Sequence, residues 1–351
     1  MRRFALKSGA LLLAVAQTLL FSSCRKDLCY DHFRRSAVTL DYEQEWERDY
    51  GRLWAQGWHD GINGMPYDLM RPKVPETVSM AVYPASGETP YEIYLDAAGG
   101  QASLGIGPYD ILFYNNDTEY VVINDIASLP KATATTRSRS RATLMDMHYG
   151  ERTVSPPDVL YGAFVESVPD VGAHNSTPVV ATLRPLVYTY VVRYEIEEGL
   201  EGVALVRGAL AGMAESVYLH DGSTDATSAT VLFDGEKTAW GAVAQVRSFG
   251  IPDFPGDHYN RAARETAGKF TLNLEVRLTD GTIKSYDFDV SDQVADQPRG
   301  GVITVSGIRI DPPKPSEGGD GSGFTADVDD WGEWQDVELP ITGIQHNQDN
   351  K

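Results

Sequence analysis

Cysteine is scarce in this chain, with Cys24 and Cys29 the only two in 351 residues. Two cysteines exclude a disulfide framework and cannot build a zinc knuckle. The seven histidines lie scattered between His32 and His346, and none is three or four residues from another. His-Glu-x-x-His, a P-loop and a Gly-x-Ser-x-Gly elbow are all missing. Gly105-Ile106-Gly107 lacks the third glycine of a dinucleotide fingerprint and reads as a turn before a strand. Positive charge is also in deficit: 30 Lys and Arg stand against 50 Asp and Glu, a formal net charge of −20. Such a surface repels phosphate backbones and anionic lipid, which argues against nucleic acid as a partner. Nothing points to a cofactor, a metal or a catalytic residue, and the expectation is a protein that is not an enzyme.

What the chain does have begins at its first residues. Arg2, Arg3 and Lys7 precede an apolar stretch over 10–21, broken only by Gln17 and Thr18. That is too short for a spanning helix and suits a signal peptide over 1–23. Phe21-Ser22-Ser23 then leads into Cys24. Small residues before a cysteine resemble the lipobox of bacterial lipoproteins, although Phe21 stands where that motif usually has Leu. The expectation is lipid on Cys24, with the membrane as a partner through that lipid alone. Each buried methylene of an acyl chain contributes about 0.8 kcal/mol, so several chains hold firmly. No later segment is long and apolar enough to span a bilayer. Cys29 is then read as a small buried side chain near the start of the fold.

Beyond a tether over 24–36, the sequence turns to period-2 alternation, which places the apolar set on one face of a strand. Val38, Leu40 and Tyr42 alternate, as do Val78, Met80 and Val82, and again Tyr91, Ile93 and Leu95. The denser run over 109–114 fits a strand buried on both faces, closed by Asn115-Asn116-Asp117. Residues 43–73, rich in Trp, Gly and charge, are compatible with a helix followed by a long loop, but their pattern does not decide it. Residues 131–141, rich in Ser, Thr and Ala with Arg137, Arg139 and Arg141, read as an exposed mobile loop. Pro156-Pro157 and the stretch 172–178 read as the connection between two domains.

In the second half Tyr188, Tyr190, Val192, Tyr194 and Ile196 alternate, as do Phe270, Leu272, Leu274, Val276 and Leu278. Asp280-Gly281 supplies a hairpin turn before Tyr286, Phe288 and Val290. A two-residue turn there would put the two apolar sets on opposite faces. A β-bulge near Lys284, or a three-residue loop, restores them to one face. Further strands are expected near 203–206, 216–219, 229–233, 240–246 and 302–310. Long helical periods are scarce, so the expected class is all-β: two tandem antiparallel β-sandwich domains over 37–175 and 176–311. A flexible Pro/Gly linker over 312–323 leads to a strand segment over 324–341. That segment either folds back onto its own sheet or pairs with another chain by β-augmentation.

Three sets of residues have a functional reading. Trp46, Trp54 and Trp58 cluster between the first two strands. They read either as packing and loop anchors or as a partner or glycan contact, since aromatic faces stack on sugars. Carbohydrate binding through that aromatic patch is the alternative function. Arg35, Arg48 and Arg52 near the first strand are candidate sites of proteolytic processing, as is the arginine-rich stretch over 131–141. Asp287, Asp289 and Asp292, and again Asp327, Asp329 and Asp330, lack the bidentate Glu of a calcium loop and read as solvated carboxylates.

Several short segments carry a resemblance. Cys24-Arg25-Lys26-Asp27-Leu28-Cys29-Tyr30-Asp31-His32 is followed by a strand over 37–42. Then come Gly107-Pro108-Tyr109-Asp110-Ile111-Leu112, Tyr114-Asn115-Asn116-Asp117-Thr118 and Ser155-Pro156-Pro157-Asp158-Val159-Leu160-Tyr161-Gly162. Gly323-Phe324 and the stretch 331–341 complete the set. Together they resemble the fimbrillin-like lipoproteins of the Bacteroidales, in particular the minor-fimbrium anchor family and a sister family whose domain has no assigned function. The resemblance implies two transthyretin-like sandwiches, outer-membrane lipidation on the cell surface, and a fimbrial anchor, accessory or shaft role. It also implies fimbrial subunits as partners by strand addition. In related shaft subunits an Arg-specific protease removes the first strand and a neighbour's strand fills the groove, whereas anchor relatives keep lipid and strand.

Overall fold

The computed structural model describes residues 34–44, 58–105, 107–140, 150–169, 178–256, 268–311 and 335–337. The first sandwich is built from β1 (Arg34–Tyr42), β2 (Thr77–Pro84), β3 (Tyr91–Asp96), β4 (Gly99–Leu104) and β5 (Tyr109–Asn115). After β6 (Val121–Asn124), β7 (Thr133–Thr136), β8 (Ser138–Ser140) and β9 (Arg152–Val154), it is completed by β10 (Tyr161–Val168) and β11 (Val179–Pro185). Its strands run β1–β11–β10–β5–β2–β3–β4 and close on themselves. Closure is thin at two corners. β3 and β4 share the single register pair Asp96↔Gly99, and β10 and β11 share only Tyr161↔Pro185 and Gly162↔Arg184. Between those corners lie two facing layers, β4–β1–β11 and β10–β5–β2–β3. The expected alternation fills the space between them: Val38 and Leu40 meet Val78, Met80 and Val82 in one buried cluster with Tyr109, Ile111 and Phe113.

The second sandwich contains β12 (Tyr188–Glu198), β13 (Val203–Ala214), β15 (Ser228–Thr238), β16 (Gly241–Ser248), β17 (Thr271–Leu278), β18 (Ile283–Asp289) and β19 (Gly301–Arg309), with the two-residue β14 (Val217–Tyr218) before β15. β15 pairs with β13 along its first part and with β16 at its end, so it turns the corner between layers. Tyr190, Val192 and Tyr194 from one layer pack against Leu210, Leu272, Leu274 and Val276 from the other. The fold class read from the sequence holds: the protein is all-β and of sandwich type. Among the described residues the ladders are antiparallel with three parallel exceptions, β1–β11, β12–β19 and β9–β15.

The 270–290 hairpin takes the second of its two expected forms. Its register runs without a shift from Thr271↔Asp289 to Arg277↔Ile283, and the Leu278 N–H donates to the Thr282 carbonyl at 2.8 Å. The loop is therefore Thr279-Asp280-Gly281, with Gly281 at φ +84° as three-residue hairpins require. Leu272 and Leu274 then face Phe288 and Tyr286 across the ladder.

Three sequence expectations need correction. The tether does not reach residue 36, because β1 starts at Arg34 and Ser36 is fully buried. The domain boundary is not at 175, because β11 pairs with β1 and β10 of the first sandwich. The division is also not clean, because β9 joins β15 of the second sandwich and β8 joins β9. The Pro156-Pro157 segment thus crosses from one sandwich's sheet to the other's, while the two sandwiches meet in sequence at Leu186 and Val187. The described part of the 131–141 stretch, up to Ser140, is not a solvated loop, because Ala132, Ala134 and Thr136 alternate into the interior. Its small side chains hid a period-2 pattern that large residues would have made plain. Of residues 43–73, the part over 45–57, where the helix was expected, lies outside the described residues; the rest holds α1 (Asp60–Asn63) and a 3-10 turn at Tyr67–Met70.

Candidate functional site

Cys24, Cys29, Trp46, Trp54, Arg48, Arg52 and Arg141 lie outside the described residues, as do the aspartates at 327, 329 and 330. Arg35 is described, and it sits inside a ladder. It pairs with Ser103 of β4, one position along from Arg34↔Leu104. β1 continues between β4 on one side and β11 on the other, with Thr39 opposite both Gly99 and Val180. The candidate processing residue nearest the fold is thus held in extended, paired backbone.

Trp58 is an anchor of the connection between β1 and β2. Its indole N–H donates to the Met65 carbonyl at 2.9 Å, and its ring meets Tyr67 edge-on at 5.7 Å. Trp58, Met65, Tyr67 and Met70 pack on Val191, Val243 and Val302, an outer face of the second sandwich. Gln245 adds a hydrogen bond to the Leu69 carbonyl at 3.0 Å. A segment from the first half of the chain is in this way clasped onto the second.

A larger contact joins the two sandwiches elsewhere. Ala81, Leu112 and Tyr114 point outward from β2 and β5 and are buried, together with Leu219 and Phe249 of the second half. β6, β7 and β14 form a three-stranded sheet over this contact, with Val217 opposite Ala134 and Val121 opposite Thr136. Polar residues of the resembling segments hold it in place. The Asn115 amide donates to the Val159 carbonyl at 3.0 Å and its oxygen accepts from Tyr161 N–H at 2.6 Å. Asp158 accepts from the backbone N–H groups of Glu119 and Val121 at 2.8 and 3.3 Å. These motif residues are structural, since each satisfies buried or turn backbone that would otherwise be unpaired.

Where β10 and β11 splay apart, a cleft of about 380 Å³ opens. Ala163 and Val165 line one wall, Val180 and Thr182 the other, with His220 and Asp221 at the rim. Phe164 meets the His220 ring edge-on at 6.5 Å. No local pattern signals this cleft, because it depends on two strands pairing for two residues and then diverging.

The terminal strand segment is described only at β20 (Gln335–Val337), which pairs antiparallel with β8 from Gln335↔Ser140 to Val337↔Ser138. Of the two expected fates, the structure shows the fold-back. Asp289 accepts from Ser291 N–H and Oγ at 3.0 and 2.6 Å, which holds its carboxyl below the usual carboxylate range. Asp287 accepts from the Asn273 amide at 2.8 Å. Both carboxylates are occupied by local partners, and among the described residues no three His, Cys, Asp or Glu side chains gather as a metal site. No helix among them is long and apolar enough to cross a membrane.

Comparison with known proteins supports the family reading. Residues 69–234 match a family model described as a domain of unknown function, DUF5119. A protein of Bacteroides ovatus provisionally named fimbrium anchoring subunit Fim4B is 26% identical over 308 residues, spanning 79% of this chain and 88% of its own. The resemblance to fimbrillin-like proteins holds. A crystal structure from Bacteroides ovatus, titled as a candidate adhesin, superposes with a TM-score of 0.57 at 21% identity, covering 83% of this chain and 97% of that one. It shares the fold. The fimbrial anchor protein Mfa2 of Porphyromonas gingivalis is more distant, with a TM-score of 0.40 at 12% identity over 77% of this chain and 90% of its own.

Proposed function

We propose that this protein is a non-enzymatic outer-membrane lipoprotein, held by lipid on Cys24, that serves as the anchor or an accessory subunit of a surface fimbrium. The observation that carries the reading is the sequence relation to a fimbrium anchoring subunit, which runs through both sandwiches and not one alone. The position of β1 supports the anchor role over the shaft role. Proteases cut exposed, unpaired backbone, whereas Arg35 lies in a ladder with β4. An intact β1 leaves the first sandwich closed, so a partner subunit is met at strand edges on its surface. Trp58 is spent on Met65 and Tyr67, which weighs against an aromatic sugar platform that includes it.

The test is mass spectrometry of the protein from native membranes, with an outer-membrane fraction compared with sheared surface material. An N-terminus at acylated Cys24, confined to the membrane fraction, is the expected result. An unlipidated N-terminus just after Arg35, Arg48 or Arg52 in sheared high-mass material would mean a polymerising shaft subunit and overturn the anchor reading.

A further inference from the structure

Each sandwich has its first and last strands side by side and parallel. In the first, β1 lies in register with β11 from Val38↔Val179 to Tyr42↔Leu183 without a shift. In the second, β12 lies beside β19 from Tyr190↔Gly301 to Glu198↔Arg309. These are two of the three parallel pairings among the described residues, and both sit where the chain enters and leaves a sandwich.

We infer that the protein is built to carry tension between its two ends, with β1–β11 and β12–β19 as two clamps in series. Two parallel neighbours present their N-terminal ends together. A pull on the start of the first and the end of the second therefore acts along the ladder in opposite directions. All its hydrogen bonds are then strained at once. In an antiparallel pair the same pull would act at one end and open the bonds one after another. The clamps are backed by apolar contact, since Val38, Leu40, Val179, Ala181 and Leu183 are all buried. Between the clamps the chain passes from Pro185 to Tyr188 through Leu186 and Val187, both buried at the contact between sandwiches. Tension leaving β11 therefore enters β12 with no slack segment to extend first. The inference uses only the described ladders, so it stands or falls separately from the identity of whatever binds either end.

Single-molecule pulling tests it, using the full chain in detergent with Cys24→Ser and Cys29→Ser and one handle at the N-terminus. In one variant the second handle is on Asp311→Cys, an exposed position just past β19, which loads both clamps along their strands. In the other it is on Pro178→Cys, an exposed position just before β11. That handle pulls the N-terminal ends of β1 and β11 apart. Both variants are first checked for a melting temperature equal to that of the same chain without the handle cysteine. The expected result is a rupture force severalfold higher for the Asp311 handle, because forced unfolding reports the barrier along the direction pulled. Equal forces in the two directions, or a lower force for the Asp311 handle, would overturn the inference. An Asp311-handle chain that yields at the level of peeling would do so as well.

Discussion

The two sandwiches share an architecture and differ in what they do with their outer faces. The first turns apolar side chains outward: Leu112 and Ala81 leave its core and are buried against the second half of the chain. The second keeps charge on an outer face and buries it. Arg207 of β13 and Glu275 of β17 are direct cross-strand neighbours, pointing away from the core formed by Val206, Leu274 and Val276. Their side chains are only 8% and 1% exposed. The Arg207 Nε–H donates to Glu275 at 2.7 Å, and a second guanidinium nitrogen contacts the same oxygen. Asn273, two positions away, is also buried and donates to Ser285 and Asp287 of β18. An outward position in a strand is therefore not the same as a solvated one. The first sandwich covers its outer face with apolar contact; the second does the same at Val191, Val243 and Val302 but buries a polar network on the outer face of its other layer.

The sharpest way to break this comparison is to unpair the buried charge. Glu275→Ala should destabilise the protein by about 3–5 kcal/mol, because the guanidinium is left buried without its partner. Replacing both, as Arg207→Met with Glu275→Leu, should cost much less than Glu275→Ala alone. Urea denaturation of the single and double variants measures both. A double variant as unstable as the single would mean that the surrounding network, and not the pair, fixes that face.

The apolar counterpart is Leu112, fully buried at the contact between sandwiches. Leu112→Ala should cost about 2–5 kcal/mol through lost burial and a residual cavity. Its signature distinguishes it from a change in one core. Hydrogen exchange should rise around Val217 and Phe249 in the second half as well as along β5. Exchange confined to β5 would mean that the contact does not couple the two sandwiches.

A close approach inside the second core gives a smaller effect. A Cβ on Gly208 would stand 2.4 Å from the Phe233 ring and 2.7 Å from the Tyr194 hydroxyl. That hydroxyl is already committed to the Asn273 carbonyl at 2.8 Å. Gly208→Ala should cost about 1–3 kcal/mol by overpacking, visible as a lower urea midpoint with an unchanged slope. No change in midpoint would show that Phe233 has room to move.

Much of this architecture was legible because large side chains announce period 2. Val78, Met80 and Val82, or Phe270 to Leu278 in steps of two, leave little choice of face. Even the loop of the 270–290 hairpin followed from demanding that two apolar sets share a side. What was not legible had one of two physical causes. Small residues such as Ala132, Ala134 and Thr136 pack only when another surface comes close, and nothing local says that it will. Topology was the other: β9 pairing with β15 and β11 pairing with β1 are long-range choices, and they moved the boundary between domains. Of the candidate site residues, Trp58 contacts Met65 and Tyr67 within its own connection, a local contact that its sequence neighbours make readable. The place of Arg35 in a ladder was not legible, because it depends on β4, whose Gly-Gly start carries no strand signal.

The smallest expected effect is an alkaline one in the first sandwich. Burial, with Asp117 nearby, pushes the Tyr42 phenol up to about 12, and burial with Glu92 nearby does the same for Tyr83. Both hydroxyls donate to carbonyls, Tyr42 to Ala97 and Tyr83 to Ile126, each at 2.7 Å. Ionisation would remove those donors. A phenol whose folded value is raised favours the native state while it stays protonated. That contribution is complete below the unfolded value of about 10 and is lost as pH rises through the folded value of about 12. Both tyrosines belong to the first sandwich and its flank. Stability should therefore fall across that alkaline window more steeply in the parent than in a Tyr42→Phe, Tyr83→Phe variant. The variant should start lower at neutral pH, by about 0.5–1.5 kcal/mol for each lost hydrogen bond, so the two curves converge as pH rises. Parallel curves would mean that these phenols ionise equally easily in the folded and unfolded chain, and that burial in the first sandwich does not hold their protons.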